Sequence, residues 1–522
     1  MFPYRSIVIV GGGTAGWLAA SYLQRTLGAN PEFPLSITLV ESAEIGIIGV
    51  GEATVPTLRQ TMRLLGVPEA ALFKHADATL KNGIRFVGWR TGGDATSDVY
   101  DHPFDTPIAM DGYSTMTHWL NLKQRGVTVP PYASSGVVQT ALFDKALSPK
   151  MMISPDYEAP IAYGYHLDAV KLGVLLKDLA VSRGVKHIVG NVTSVRCSEA
   201  GIESLRLDDE TVLAGDLFID CSGFNSLLIG KALDVPWVSY SDVLLCDRAV
   251  ACPVPHAQPN GTLLSYTTST AQASGWTWDI DLQTRRGTGY VYSSAFASED
   301  EAETLLRRHN GAADGAEARH LNMRVGHRAR VWEKNCLALG LASGFIEPLE
   351  STGIYLVEHA IQMFLDYLPA SAGSEAPRAK YNELMSDLYD ELRDFIVLHY
   401  VLTQRKDTPF WKAYSSEVKI PDSLATNLAL WREKAPSNTD IQRRLSLFGM
   451  PNWFYILAGM HYLPRQGIGQ SAYIAPKTSL DVLAHIERIR TVAAQQSPPM
   501  RDYVQKIVGA VGNAPFAAPR AR

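Results

Sequence analysis

"SIVIVGGGTAGWLAASYLQRTL", residues 6–27, is the stretch on which the fold turns. The β-branched run SIVIV reads as a strand, GGGTAGW as a glycine turn, and LAASYLQRTL as a helix by its apolar periodicity. LSITLVES (35–42) follows as a second strand that ends near Glu41. Gly11, Gly13 and Gly16 stand in G-x-G-x-x-G register. Gly11 allows the tight turn, Gly13 lets backbone approach a pyrophosphate, and Gly16 lets the helix pack on the sheet. The helix start at Thr14 and Ala15 offers free N–H groups and the positive end of the helix dipole to phosphates. Glu41 is placed to accept hydrogen bonds from a ribose diol. A glycine turn without a ligand is the competing reading, disfavoured because strand, helix and acidic residue all fall in place. The expectation is an α/β fold with a Rossmann-like, FAD-binding domain.

The chain has 522 residues, 46% apolar and 19% charged, enough for a large core and two to three domains. Net charge is −5, and the basic pairs Arg285-Arg286, Arg307-Arg308 and Arg443-Arg444 are scattered, so nucleic acid is an unexpected partner. Five cysteines form no C-x-x-C pair and no zinc spacing, so no metal is expected. Without a signal-peptide pattern or a long apolar run, the expected setting is cytoplasmic, with no membrane span.

Further along, residues 167–183 read as helical and 187–196, 202–207 and 211–220 as strands. The segment TVLAGDLFIDCSGFNS (211–226) resembles the strand that closes on flavin in many FAD-dependent proteins. Residues 335–368 read as a buried strand, a glycine-containing turn and a long helix. ASAGSEAP (370–377) reads as a loop, the chain from 378 onward as helical, and NAPFAAPRAR (513–522) as a disordered tail. The expected boundaries are residues 1–368 for the FAD-binding domain, with inserted substrate-facing segments, and 369–522 for a helical substrate-binding module. No second G-x-G-x-x-G follows a strand, which suggests that reduced flavin arrives from outside.

Five ordered segments are together similar to the flavin-dependent tryptophan-halogenase family: GGGTAGW, GVGEATVP (49–56), LKNGIRFVGWR (80–90), GWTWDI (275–280) and EPLESTGIY (347–355). The resemblance implies a domain like that of aromatic hydroxylases and a helical module that holds an organic substrate. It implies a chemistry in which FADH2 from a separate flavin reductase, O2 and a halide, chloride or bromide, give hypohalous acid. The acid crosses an internal passage to the substrate, where a lysine directs it onto an aromatic carbon.

By this resemblance Lys81 is the catalytic lysine and Glu350 its partner. A buried carboxylate beside the ammonium would oppose the desolvation that neutralises it. Glu350 would also take the proton from the cationic ring; its competing reading is a capping carboxylate on the helix expected at 354–368. Thr352 and Gly353 match the halide-holding positions, and Glu52, Ala53, Leu341 and Ile354 would line the flavin. Trp276, Trp278 and Ile280 match a partition motif thought to keep substrate away from flavin.

The chain also departs from the family pattern. Asp281 stands where the partition motif carries proline. DHPF (101–104) keeps His102 and Phe104 as flat walls for an aromatic ring. In residues 435–460 there is no tyrosine pair, Arg443 falls where the family carries a glutamate, and Phe448 or Trp453 falls near its tryptophan. Arginine cannot hold an ammonium group, so an indole, an acidic indole derivative or a phenol-like ring fits better than free tryptophan. Two other readings compete: a flavin monooxygenase that hydroxylates the same ring, and a flavin-binding protein without catalysis.

Overall fold

The computed structural model describes residues 4–28, 30, 32–46, 51–110, 112–313, 316–371, 373–441, 446–465 and 469–510. The strand Ser6–Val10 lies in the middle of a sheet ordered Lys186–Val189, Ser36–Glu41, Ser6–Val10, Leu217–Asp220, Cys336–Ala338 and Trp332–Glu333. All neighbours in it are parallel except the last pair. Strand alternation explains the unbroken apolar run of SIVIV: Ile7 and Ile9 enter the main core with the helices Thr14–Leu27 and Ala169–Ser182, while Val8 and Val10 face a second cluster with Ile202, Leu205 and Phe218.

A second, largely antiparallel sheet runs Arg319–Asn322, Arg248–Ala251, Arg285–Tyr292, Gly275–Asp281, Thr267–Gln272, Gly83–Val87 and Val99–Pro103. Its register pairs Trp278 with Ser269, Ser269 with Phe86, Phe86 with Tyr100 and Ile84 with His102. By the two-residue period, one face therefore carries Trp276, Trp278 and Ile280 at one side and Tyr100 and His102 at the other. A small sheet pairs Lys81 with Gly164, and His166 with both Thr79 and Ala53.

Every described element after residue 368 is helical. The long helix Glu375–Val401 contributes Phe395 and Tyr400 to the same core that holds Ile9 and Trp89. The helix Met450–Gly459 lies on the strand Val99–Pro103, where a Cβ on Gly459 would fall 2.5 Å from the Tyr100 ring. No described helix is long and apolar enough to cross a membrane.

Some expected boundaries move. The run 187–196 is two strands, Lys186–Val189 and Val192–Ser198, and 211–220 is likewise Val212–Ala214 and Leu217–Asp220. The loop expected over 370–377 gives way at Glu375, where the long helix starts; Pro377 sits in its first turn, where a missing N–H costs nothing. The helix expected at 354–368 is Gly353–Asp366. The tail 513–522 lies outside the described residues.

Candidate active site

Gly11 adopts φ +115°, and a Cβ there would fall 2.2 Å from the Cys221 carbonyl oxygen. A Cβ on Gly16 would fall 1.9 Å from the Gly11 oxygen, so helix and strand pack backbone to backbone. At Gly13 a Cβ would meet nothing within 4 Å, and no side chain caps the helix that begins at Thr14. The cradle therefore has room in front of free N–H groups, as a pyrophosphate requires. Glu41 lies over Gly12 and accepts from His187 Nε2 at 2.7 Å. Ala15, the turn Gly340–Ala342 with Leu341, and the helix of Ile354 converge: a Cβ on Gly340 would fall 2.9 Å from Ala15 and 3.8 Å from Val357.

Glu52 and Ala53 pair with Leu167 and His166, next to Gly51, which abuts Ile280. Burial pushes the Glu52 carboxyl up to about 7. Thr352 is fully buried, and its Oγ1 has no partner among the described residues. It precedes the helix start at Gly353, where a Cβ would again meet nothing within 4 Å. Open space at Gly13 and Gly353, two uncapped helix starts and an unsatisfied buried hydroxyl fit a flavin dinucleotide and an adjoining anion.

Trp276, Trp278 and Ile280 are buried on one strand, and the two indoles lie 6.4 Å apart at 60°. Gly289 makes room for Trp278: a Cβ there would fall 1.9 Å from its ring. Trp276 Nε1 donates to Glu347 Oε2 at 2.8 Å. Asp281, in place of the motif proline, accepts from Leu264 N at 2.8 Å through its carboxylate. Its carbonyl also accepts from Thr79 Oγ1 at 2.5 Å, so this residue ties the tryptophan strand to the lysine strand.

Lys81 is fully buried and its Nζ lies 5.1 Å above the Phe104 ring. Among the described residues Lys81 and Glu350 make no direct ion pair, although the Glu350 charge reaches the ammonium. Lys81 Nζ donates instead to Ser351 Oγ at 2.7 Å. Glu350 turns its oxygens to two imidazoles, with His102 Nδ1 at 2.8 Å and His399 Nε2 at 3.0 Å. The left-handed backbone of Ser351, φ +61°, separates Glu350 from the helix start, so Glu350 is not its capping carboxylate. Burial lowers Lys81 to about 7, a fall that the charge of Glu350 limits. Burial alone would raise Glu350, but His102 and His399 outweigh it and bring the carboxyl down to about 2. His399 is itself lowered by burial and contacts the Tyr100 hydroxyl through Nδ1 at 2.8 Å.

His102 also meets Asn452 Oδ1 through Nε2 at 2.9 Å. Its ring is surrounded by Phe395, Tyr455 and Phe448 at 5.8, 5.9 and 6.0 Å. Phe448 stacks on Phe395 at 3.9 Å. Trp453 packs against the edge of Phe395 and donates to the Phe448 carbonyl at 2.9 Å. Arg443 lies outside the described residues.

Ser351, His399, Tyr100 and Asn452 escape a reading of the sequence. Ser351 alone has a local signal, as the residue between Glu350 and Thr352.

An open dinucleotide cradle on a parallel sheet, a buried tryptophan pair on one strand and a fully buried lysine are the features of a flavoenzyme. Comparisons agree with that class. The family model described as tryptophan halogenase matches residues 6–472. Tryptophan 6-halogenase of Streptomyces albogriseolus is 33% identical, over 97% of this chain and 99% of that protein. The solved tryptophan halogenase of Shewanella frigidimarina superposes with a TM-score of 0.90 at 34% identity, covering 97% and 98% of the two chains. A flavin-dependent halogenase from Xanthomonas campestris gives 0.89 at 34% identity, covering 99% and 100%. This chain belongs to the tryptophan halogenase family, and it is a flavin-dependent halogenase.

Proposed function

We propose that this enzyme halogenates an electron-rich, indole-type ring through Lys81, and that free tryptophan is a poor acceptor. The observation that carries the reading is Lys81: fully buried, hydrogen-bonded to Ser351 and facing Phe104. Bound FADH2, delivered by a separate reductase, supplies with O2 the oxidation of halide to hypohalous acid. Gly11, Gly13, Thr14, Ala15, Gly16 and Glu41 hold its dinucleotide, and Glu52, Ala53, Leu341 and Ile354 its ring system. Thr352 and Gly353 hold the halide at the helix start.

Trp276, Trp278 and Ile280 keep the acceptor from the flavin, which favours halogen transfer over hydroxylation. Lys81, in its charged form, hydrogen-bonds hypohalous acid and makes the halogen more electrophilic. Glu350, held ionised by its imidazoles, supports the ring cation and accepts its proton. His102, Phe104 and Phe448 wall the ring, with Trp453 behind them. The FAD-binding part spans residues 1–368 and the helical substrate module 369–522. Free cysteines throughout suit a reducing, cytoplasmic setting. Bromide is the easier halide to oxidise and is the expected preference.

The Streptomyces albogriseolus relative is a tryptophan 6-halogenase; the ammonium of tryptophan needs an acidic or aromatic clamp, and this chain has Arg443 and no tyrosine pair in that segment. Competition of indole against tryptophan, read by product mass with both halides, tests the substrate. Halogenated indole in excess supports the reading, and preferential halogenation of tryptophan overturns it.

A further inference from the structure

Glu347 is fully buried, its carboxylate meets no cation among the described residues, and the chemistry above does not use it. Its Oε2 accepts from Trp276 Nε1 at 2.8 Å and from the Tyr400 hydroxyl at 2.6 Å, while Oε1 has no partner among the described residues. Tyr400 is itself held, stacked on Tyr414 at 4.5 Å and 12°. Burying a carboxyl with so few partners is costly, and a hydrophobic residue of similar volume would cost less.

Its placement suggests what that cost maintains. Glu347 opens the turn Pro348–Glu350, so one short segment carries two carboxyls with different contacts. Glu347 grips Trp276 on the wall strand, and Glu350 grips His102 on the strand Val99–Pro103, the far side of the same sheet. The turn therefore spans the sheet face from wall to substrate chamber. Ser351, which receives Lys81, follows directly. An indole on a strand has several rotamers, and a single buried acceptor at its N–H selects one.

We propose that Glu347 is a positioning residue that locks the Trp276 indole to the catalytic turn, so that the wall between flavin and acceptor holds its register with Lys81 and Glu350. This rests on the reading of Trp276 as part of that wall. Without Glu347 the indole N–H is orphaned, the ring leaves its rotamer, and oxidised halogen no longer reaches the acceptor efficiently.

The test uses the full-length enzyme. Indole 15N spectra of the ligand-free protein, with the Trp276 signal assigned by its loss in Trp276→Phe, report the hydrogen bond without any turnover. In Glu347→Leu this signal should shift and exchange faster with solvent; Glu347→Gln, which keeps an acceptor oxygen, should hold it near its original place. Halogenated product per O2 consumed should fall about five- to tenfold in Glu347→Leu, the size of one lost hydrogen bond. It should recover largely in Glu347→Gln and fall no further when Glu347→Leu is added to Trp276→Phe. An unmoved indole signal in Glu347→Leu overturns the inference, as does an additive loss in the double variant. A moved signal with full coupling in Trp276→Phe overturns the wall reading itself. Should Glu347→Leu fail to fold, Glu347→Met, of similar length and with only a weakly accepting sulfur, replaces it: a Trp276 signal unmoved in that variant would equally overturn the inference.

Discussion

Lys81 Nζ donates to Ser351 Oγ at 2.7 Å, and the Glu350 carboxylate is turned away to His102 and His399. The lysine thus meets a neutral hydroxyl, while its counter-charge acts from the residue before Ser351 in the turn. This arrangement commits one ammonium proton to Ser351, and the proposed function needs the others for hypohalous acid. Its cost is the desolvation of an ammonium whose charge no direct contact neutralises. Ser351→Ala removes the acceptor that orients the ammonium. The turnover number should fall about tenfold, from the loss of one hydrogen bond to a charged donor, with flavin binding unchanged. Single-turnover kinetics and flavin titration separate the two.

Lys81→Met should stabilise the fold. Burial puts the folded pKa at about 7, below the ordinary 10.5 of lysine, so folding works against protonation. The penalty is full below about 7 and fades as pH rises toward the unfolded value. Thermal melts at acidic and alkaline pH should show a gain of about 4 kcal/mol near neutrality, shrinking as pH rises. A loss of stability at neutral pH would contradict the burial argument.

Glu350→Gln should move the alkaline limb of the rate profile toward lower pH. The negative charge of Glu350 raises the lysine pKa, so its removal lowers the pH at which the ammonium is lost. A pH profile of single-turnover halogenation reads this. A limb that stays in place would mean that the two groups are not coupled.

Gly11→Ala and Gly13→Ala should behave oppositely. At Gly11 the added Cβ meets the Cys221 carbonyl in a left-handed backbone, so folding fails or the melting temperature drops sharply. At Gly13 the Cβ meets no protein atom, so the melting temperature holds while FAD affinity falls about tenfold or more. Thermal melts and flavin titration check both.

Legibility in the sequence followed the range of the forces involved. Gly11, Gly13 and Gly16 were readable because a turn, an open cradle and a close packing each leave a mark within a few residues. Trp276, Trp278 and Ile280 were reached only through the family resemblance, as a short motif contiguous in the chain. The Lys81–Ser351 contact spans 270 residues and His102–Glu350 spans 248, so neither leaves a local pattern. His399 looked like one more residue of a long helix. Its place beside Glu350 depends on how the helix Glu375–Val401 docks against the strand Val99–Pro103.

In the proposed function Lys81 directs the halogen after flavin chemistry is complete. The most direct measurement is product mass and flavin reoxidation for the wild-type enzyme and Lys81→Ala, given FADH2 from a reductase, O2, bromide and indole. The expected result is a halogen isotope pattern from the wild type, none from Lys81→Ala, and equal rates of flavin reoxidation in both. Halogenated product from Lys81→Ala, or an oxygenated ring from the wild type, would contradict it.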